Sequence, residues 1–428
     1  SVAVVGEGPA GLAAAWRLSA GWPVRVYEAR SRPGGRLRTE EVAGARADAV
    51  VQLVSDGYDE TGRLLGAMGL ADRMVEVPGR DALWRSGRAH VLRYGSVLSM
   101  AASGALPPGL KVRLGLRYVP FLERHGDALD MNDPGRAPES LTGESIAAWG
   151  RRELGDDFVE LMVYPLLASY YGVTPEETSA AFFHALARAG QRVSVLGIRG
   201  GAGALAEAMA GALTARGVDL RLGTPVDAIE TGPEGVSVHA DAPASHDGVV
   251  VATSAPVAAR LLDRPALGQV PTRSTATLVL AVDRPMETGW FGLSIPRTEP
   301  PGDVLATVCV QSEKATDLGG TGDALVLIPA PAVAADWARS EARAVVAQAI
   351  PALERVLPGA GTAVREARLI RLEDTVFVPA PGPPGPSPVD PVVSPRIAVA
   401  GDHRVAPTVE GAVRSGLAAA AALSRDGA

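Results

Sequence analysis

Short, unbroken apolar runs punctuate this chain, the pattern of strands buried on both faces of a parallel sheet rather than of half-exposed ones. Val2 to Val5 is the first, and it runs into Gly6-Glu7-Gly8-Pro9-Ala10-Gly11. Leu12 to Ser19 then reads as a helix, and Val24 to Tyr27 as a second strand closed by Glu28. Further along, Gly200-Gly201-Ala202-Gly203 opens a helix from Ala204 to Arg216, with a strand from Val218 to Leu222 behind it. Val236 to Ala240 and Val249 to Ala252 predict a strand pair ending at Thr253. Ile397 to Ala400 is another apolar strand, running into Gly401-Asp402, and a helix from Thr408-Val409-Glu410-Gly411-Ala412 continues to about Leu423. Residues 76–189 read as helical, broken by Pro107-Pro108 and by a loop from Asn132 to Ser140. Residues 263–387 offer strands from Thr275 to Val282, Val304 to Gln311 and Ala324 to Pro329. An Ala-rich helix from Val333 to about Leu357 follows, then a Pro/Gly linker from Pro379 to Pro391.

Strand, glycine-rich turn and helix in that order give G-x-G-x-x-G its physical meaning. Gly6 permits the turn, Gly8 lets a pyrophosphate approach the backbone, and Gly11 lets the helix pack close to the strand. The helix that Pro9 opens offers free N–H groups, from Ala10 onward, to phosphate oxygens. Glu28, twenty residues after Gly8, is placed to accept both hydroxyls of an adenosine ribose, which favours FAD or NAD over NADP. Glu7 brings a charge close to a dianionic ligand, and its side chain is expected to point to solvent.

Composition narrows the remaining classes. At 428 residues with 47% hydrophobic, the chain is long enough for two domains with sizeable cores. A net charge of −7 excludes a general nucleic-acid binder. Lysine occurs only at Lys111 and Lys314, leaving 41 − 2 = 39 arginines, a skew that fits a GC-rich genome. Cys309 is the sole cysteine, and the six histidines include no H-x-x-x-H pair, so neither a disulfide nor a metal site is expected. No apolar run reaches the ~18 residues of a membrane span, and the expected setting is cytoplasmic.

Glu28-Ala29-Arg30 followed by Arg32-Pro33-Gly34-Gly35-Arg36-Leu37-Arg38-Thr39 resembles the flavin-containing monoamine oxidase, protoporphyrinogen oxidase and phytoene desaturase superfamily. The resemblance implies an α/β fold: a Rossmann-type FAD-binding domain from residues 1–75, 190–262 and 388–428, plus an α+β substrate domain from 76–189 and 263–387. It implies non-covalent FAD, Cys309 lying far from where cysteinyl-flavin relatives attach the ring. Gly34 and Gly35 would bring backbone to the cofactor, and Arg36 would reach its phosphate and ribityl region. Val226 would hold the adenine through its backbone, with Thr253 nearby, and Gly401-Asp402 would meet the ribityl or pyrophosphate. Glu410-Gly411-Ala412 would set a helix N-terminus against the flavin pyrimidine, stabilising charge that develops on reduction.

Two departures from the family pattern bear on mechanism. The family's D-x-G strand becomes Asp48-Ala49-Val50-Val51-Gln52, with Val50 where the glycine would pass the flavin ring and with Val50, Val51 and Gln52 expected to contact the cofactor. The lysine that amine oxidases place on a substrate-domain strand is missing from Thr275-Ala276-Thr277-Leu278-Val279, and Val405-Ala406-Pro407-Thr408 lacks the aromatic residues that sandwich an amine. Oxidation or desaturation of a bulky, hydrophobic, cyclic substrate therefore ranks first. Such a substrate is protoporphyrinogen-like or a specialised metabolite, with reoxidation by O₂ or another acceptor. Amine or amino-acid oxidation is the alternative, and a non-redox flavoprotein is kept open by Val50. Candidate catalytic groups are His403 and Tyr171, the latter in a Tyr164–Tyr171 stretch that resembles a protoporphyrinogen oxidase segment and is expected to wall a pocket.

Overall fold

The computed structural model describes the chain except residues 78–79, 94–95, 132, 134–135, 316, 321, 383–391 and 426–428. Most of the predicted Pro/Gly linker thus lies outside the described residues. At its start, Pro379 O accepts from Ser179 N, and Gly382 N donates to Thr142 O, both at 2.8 Å.

The short apolar runs do become buried parallel strands. A six-stranded sheet orders them as Asp219–Arg221, Val24–Tyr27, Val2–Val5, Gly248–Val251, Ile397–Val399 and Val392–Ser394, with only the last pair antiparallel. Parallel register has a direct consequence for function. Val5 pairs with Tyr27 and Val251, and Val251 with Val399, so Gly6, Glu28, Ala252 and Ala400 leave the sheet along one edge. That edge, at the carboxyl ends of the strands, is where open α/β sheets bind ligands. Helices Pro9–Leu18, Gly201–Ala215 and Val409–Arg425 bury an alanine-rich core against it, including Ala13, Ala14, Ala206 and Ala419.

A second, seven-stranded sheet runs Val364–Phe377, Thr272–Val282, Asp323–Pro329, Leu305–Val310, Trp290–Ser294, Arg80–Arg85 and Arg88–Leu92. Alternation gives it two apolar faces. Leu278, Leu280, Leu325 and Leu327 pack on helices Pro331–Arg339 and Ala342–Val356 through Trp337, Val345 and Leu353. Val279, Cys309 and Val326 face the other way, onto Val42, Ala45, Ala47 and Ala49 of the hairpin Thr39–Val42 and Ala45–Asp48. This hairpin lies between the large sheet and helix Gly201–Ala215, which packs on the first sheet.

Four expectations are corrected. Residues 76–189 are not purely helical, because Arg80–Arg85 and Arg88–Leu92 form a hairpin on the edge of the large sheet. Strands Trp290–Ser294 and Val364–Phe377 were not predicted. The second of these carries an arginine or an acid at six of its positions, so charge on its exposed side masks its period. The Ala-rich helix is two, broken at Ser340, whose extended backbone ends the first. Finally, Glu7 does not point to solvent; it is fully buried.

Candidate functional site

The glycine turn is built as its spacing requires. Gly6 has φ +98°, and a Cβ there would come within 2.6 Å of Ala252 O; a Cβ at Gly11 would overlap the Gly6 carbonyl. Gly8 is the N-cap of helix Pro9–Leu18, with no side-chain cap, and the space beside it is open. The N–H groups of the first turn, Ala10 and Gly11 among them, thus remain uncapped by any side chain. Ala10 itself packs against the C-terminal helix, where Gly416 admits close backbone approach.

Glu28, at the neighbouring strand end, accepts from Glu7 N and Arg30 N, both at 2.9 Å, which fixes its carboxylate over the turn. Thr224 N donates to Glu28 O and Gly223 N to Arg30 O, so the segment leading into Val226 lies beside Glu28-Ala29-Arg30. The Val226 side chain is buried in the adjoining core. On the turn's other flank, Gly34 N donates to Glu7 O at 2.9 Å, and a Cβ at Gly35 would reach 3.2 Å from Gly8 Cα. Arg36 makes a two-pronged pair with Asp402, NH1 to Oδ2 at 2.8 Å and NH2 to Oδ1 at 2.7 Å. Burial works against the Arg36 charge, and the Asp402 carboxylate outweighs it, so the guanidinium stays cationic. Thr253 lies between Gly6 and Gly401, and Gly401 N is held by Ser415 Oγ at 2.9 Å. Glycine turn, uncapped helix start, fixed carboxylate and arginine form one cradle whose donors suit a dinucleotide diphosphate and ribose.

Two predicted contacts are used up elsewhere. The Glu410 carboxylate caps helix Asp59–Ala67, accepting from Glu60 N, Thr61 N and Thr61 Oγ1, and also from Arg414 Nε at 2.7 Å. Its side chain is therefore a brace between helices. Gly411 N donates to Thr408 Oγ1, and Ala412 N to Thr408 O. Gln52 also turns inward: its amide donates to Asp48 O and accepts from Gln311 Nε2. Val51 packs on the alanine-rich core and Val50 on the Ala49–Cys309 core. Val50 is not among the residues with positive φ, so valine is accommodated there without left-handed backbone.

Beneath this stretch lies a buried polar network that the sequence did not reveal. Lys314 and Asp48 form an ion pair with both side chains fully buried. Asp48 Oδ1 also accepts from Thr39 Oγ1 at 2.6 Å and from Ala202 N at 2.7 Å, while Asp48 N donates to Gln311 Oε1 at 3.0 Å. Thr277, on the strand where an amine oxidase would carry its lysine, donates to Ala49 O at 2.7 Å. The one available signal was that Lys314 is one of only two lysines among 41 basic residues.

Next to Leu53 opens a cavity of about 1280 Å³, lined among others by Tyr58, Asp81, Leu114, Met162, Tyr170 and Tyr171. Tyr170 Oη donates to Asp81 Oδ1 at 2.8 Å. Burial pushes the Asp81 carboxyl up to about 6, against the Tyr170 hydrogen bond and the Arg93 charge. Burial holds the Tyr171 hydroxyl far above the usual phenol range, so at neutral pH it can donate a hydrogen bond but cannot act as a base. Tyr164 is not on this wall; it is buried beneath Arg297, whose guanidinium carbon lies 4.9 Å from its ring centre. His403 sits on Gly401, where a Cβ would strike its ring. Burial first, then Arg404 and Arg36, pull it down to about 4 despite Asp402, leaving a neutral imidazole at neutral pH. Cys309 is buried, and its thiol is pushed up to about 12 by burial. Among the described residues no cluster of ligating side chains suits a metal, and no helix is long and apolar enough to cross a membrane.

Comparison with known proteins agrees with this construction. Coproporphyrinogen III oxidase of Propionibacterium freudenreichii subsp. freudenreichii is 27% identical over 353 residues, 65% of this chain and 62% of that protein. Mitochondrial protoporphyrinogen oxidase of Nicotiana tabacum is 26% identical over 181 residues, 42% of this chain and 34% of that protein. The chain therefore matches between a third and two thirds of the length of these relatives. Among solved structures, putrescine oxidase bound to putrescine superposes with a TM-score of 0.76 at 20% identity, covering 99% of both chains. Cyclohexylamine oxidase from Brevibacterium oxydans IH-35A gives 0.74 at 19% identity, covering 99% of this chain and 98% of that one. At such identities these likenesses establish the fold. The profile of the flavin-containing amine oxidoreductase family matches residues 9–424, and with the cradle at the strand ends it makes this chain a member of that family, with FAD as its cofactor.

Proposed function

We propose that this chain removes a hydride from a bulky, mostly apolar, cyclic substrate held in the cavity beside Leu53. The observation that carries the reading is the cavity: about 1280 Å³, with Leu53, Leu114, Leu122, Met162 and Leu166 on its walls. Burying ~300 Å² of apolar ligand surface there is worth about 7.5 kcal/mol before association costs. Bound FAD supplies the two-electron acceptor. The chain's own residues orient and shield: the apolar wall excludes water, the Tyr171 hydroxyl donates, and Asp81 can take up a proton near neutral pH.

FAD is held, on this reading, by the Gly6–Gly11 turn, Glu28-Ala29-Arg30, Gly34 to Arg36, the Val226 and Thr253 segments and Gly401-Asp402; the N–H groups of Gly411 and Ala412 are already taken by Thr408. Residues 1–75, 190–262 and 388–428 form the cofactor unit, and 76–189 with 263–387 the substrate unit. Attachment is non-covalent, and acid precipitation should release all yellow colour; colour kept in the pellet would refute it. Asp81 favours a second reading, oxidation of an amine, because a carboxylate on the cavity wall can accept an ammonium. Anaerobic stopped-flow with porphyrinogens, hydrophobic polycycles, small amines and amino acids separates the two. Flavin bleaching by the bulky compounds supports the first, and bleaching by small amines alone overturns it.

A further inference from the structure

The x of the G-x-G turn is the least expected residue of the cofactor cradle. Glu7 uses its backbone fully, N–H to Glu28 Oε2 and carbonyl from Gly34 N. Its side chain is fully buried, and neither carboxylate oxygen has a hydrogen-bond partner. Among the described residues no cation pairs with it. The end of the Val24–Tyr27 strand brings Glu28, a second acid, held in place by two backbone N–H groups. In the 30–38 loop, Arg30 reaches Gly35 O, Arg32 and Arg38 pair with Glu40, and Arg36 pairs with Asp402. Helix Pro9–Leu18 carries no acid in its first turn, and the one base noted on it, Arg17, is in its last. A buried carboxylate without partner or counter-ion is costly, and the usual escape is to stay neutral.

We propose that Glu7 carries a proton whenever FAD is bound, so that cofactor uptake by the ionised form of this chain takes up a proton with it. The inference rests on the reading that the Gly6–Gly11 turn holds the cofactor diphosphate. A dianion brought to the turn adds a third negative centre to Glu7 and Glu28, and only the Glu7 proton is free to adjust. Burial, and then the Glu28 charge, already raise the Glu7 carboxyl to about 7. Binding that requires the neutral form is constant below that pH and weakens as Glu7 ionises above it. By linkage the FAD dissociation constant should rise on the order of 30-fold between about pH 6 and pH 8.5.

The test is equilibrium release of FAD from diluted holoenzyme across that pH range, read by the fluorescence of the free flavin. Wild type should show the rise, while Glu7→Gln and the smaller Glu7→Ala should retain FAD with a flat profile. Infrared spectra of the holoenzyme at about pH 7.5 should contain a protonated-carboxyl stretch that Glu7→Gln lacks. Superimposable wild-type and Glu7→Gln profiles, loss of FAD from both variants at every pH, or absence of that band would each overturn the inference. Arg36→Ala, run in parallel, separates it from the site reading. If Arg36→Ala weakens FAD while the Glu7 profiles coincide, the inference alone falls. Unchanged FAD release in Arg36→Ala would sink the placement of the cofactor, and the inference with it.

Discussion

The glycine-turn cradle and the cavity wall are built by different means. From Gly6 to Arg36 the cradle works mostly with backbone: a glycine turn, an uncapped helix start and the N–H groups that fix Glu28. The cavity works with side chains brought from remote positions, such as Leu53 beside Tyr171 and Asp81 under Tyr170. Backbone recognition demands glycines at fixed spacing, so it leaves a readable trace. Side-chain recognition demands only that some residue of suitable size and charge arrive, and many sequences satisfy that. The Lys314–Asp48 network lies between the two regions, clamping the Ala49–Gln52 stretch from below.

That intermediate position makes the network the sharpest place to break the comparison. Lys314→Met should strand the Asp48 charge in the interior and cost about 3–5 kcal/mol of stability, measured by urea denaturation of the holoenzyme. Adding Asp48→Asn should recover a substantial part, because the orphaned charge goes with it. A loss below about 1 kcal/mol would show that the pair is not the clamp between the regions.

Arg36→Ala tests whether the cradle has any essential side chain besides Glu28. Removing a charge-assisted contact should cost roughly 1.5–3 kcal/mol, about 10- to 150-fold in FAD affinity, with Asp402 left unpaired as well. Glu28→Gln should lose less. FAD affinity by fluorescence titration of both variants ranks the two contacts, and the reverse order would reassign the weight from diphosphate to ribose.

Stability against pH compares two acids whose titration burial raises, one in each region. Glu7 has a folded-state value of about 7 against 4.5 ordinarily, and Asp81 about 6 against 3.8. Both native forms therefore hold their protons more tightly than the unfolded chain. The stability each contributes is complete below its ordinary value and is lost as pH rises through the folded one. Glu7→Gln should outlast wild type by on the order of 1–3 kcal/mol at pH 8 and by little at pH 4, in thermal or urea unfolding. Equal pH profiles would show that Glu7 finds a partner in solution. The smallest expected effect is Tyr170→Phe. Losing that hydrogen bond should raise the Asp81 titration by about one unit, followed by infrared spectroscopy of the carboxyl. No change would mean that burial and the Arg93 charge set it without the hydrogen bond.

The correct and the corrected expectations divide along the same line. Val2–Val5 was legible to the residue because a strand buried on both faces is a continuous apolar run, and Val24–Tyr27 because only Arg25 interrupts its apolar positions. Val364–Phe377 was not, since one of its sides stays charged and polar while Ile370 and Leu372 enter the core. Glu410 was read as a cofactor residue from its motif, yet its carboxylate caps a helix some 350 residues away in sequence. Glu7 was read as exposed because nothing local places a side chain above or below a turn.

By itself the sequence determined the family, the cofactor and the order of turn, helix and strand, because glycine positions and apolar runs are local consequences of backbone geometry. The tertiary structure alone decided which way Glu7, Gln52 and Glu410 face, that Lys314 meets Asp48, and where the cavity lies. Those depend on contacts between residues hundreds of positions apart. The energy of a buried charge is set by what surrounds it in space, which the linear order does not state.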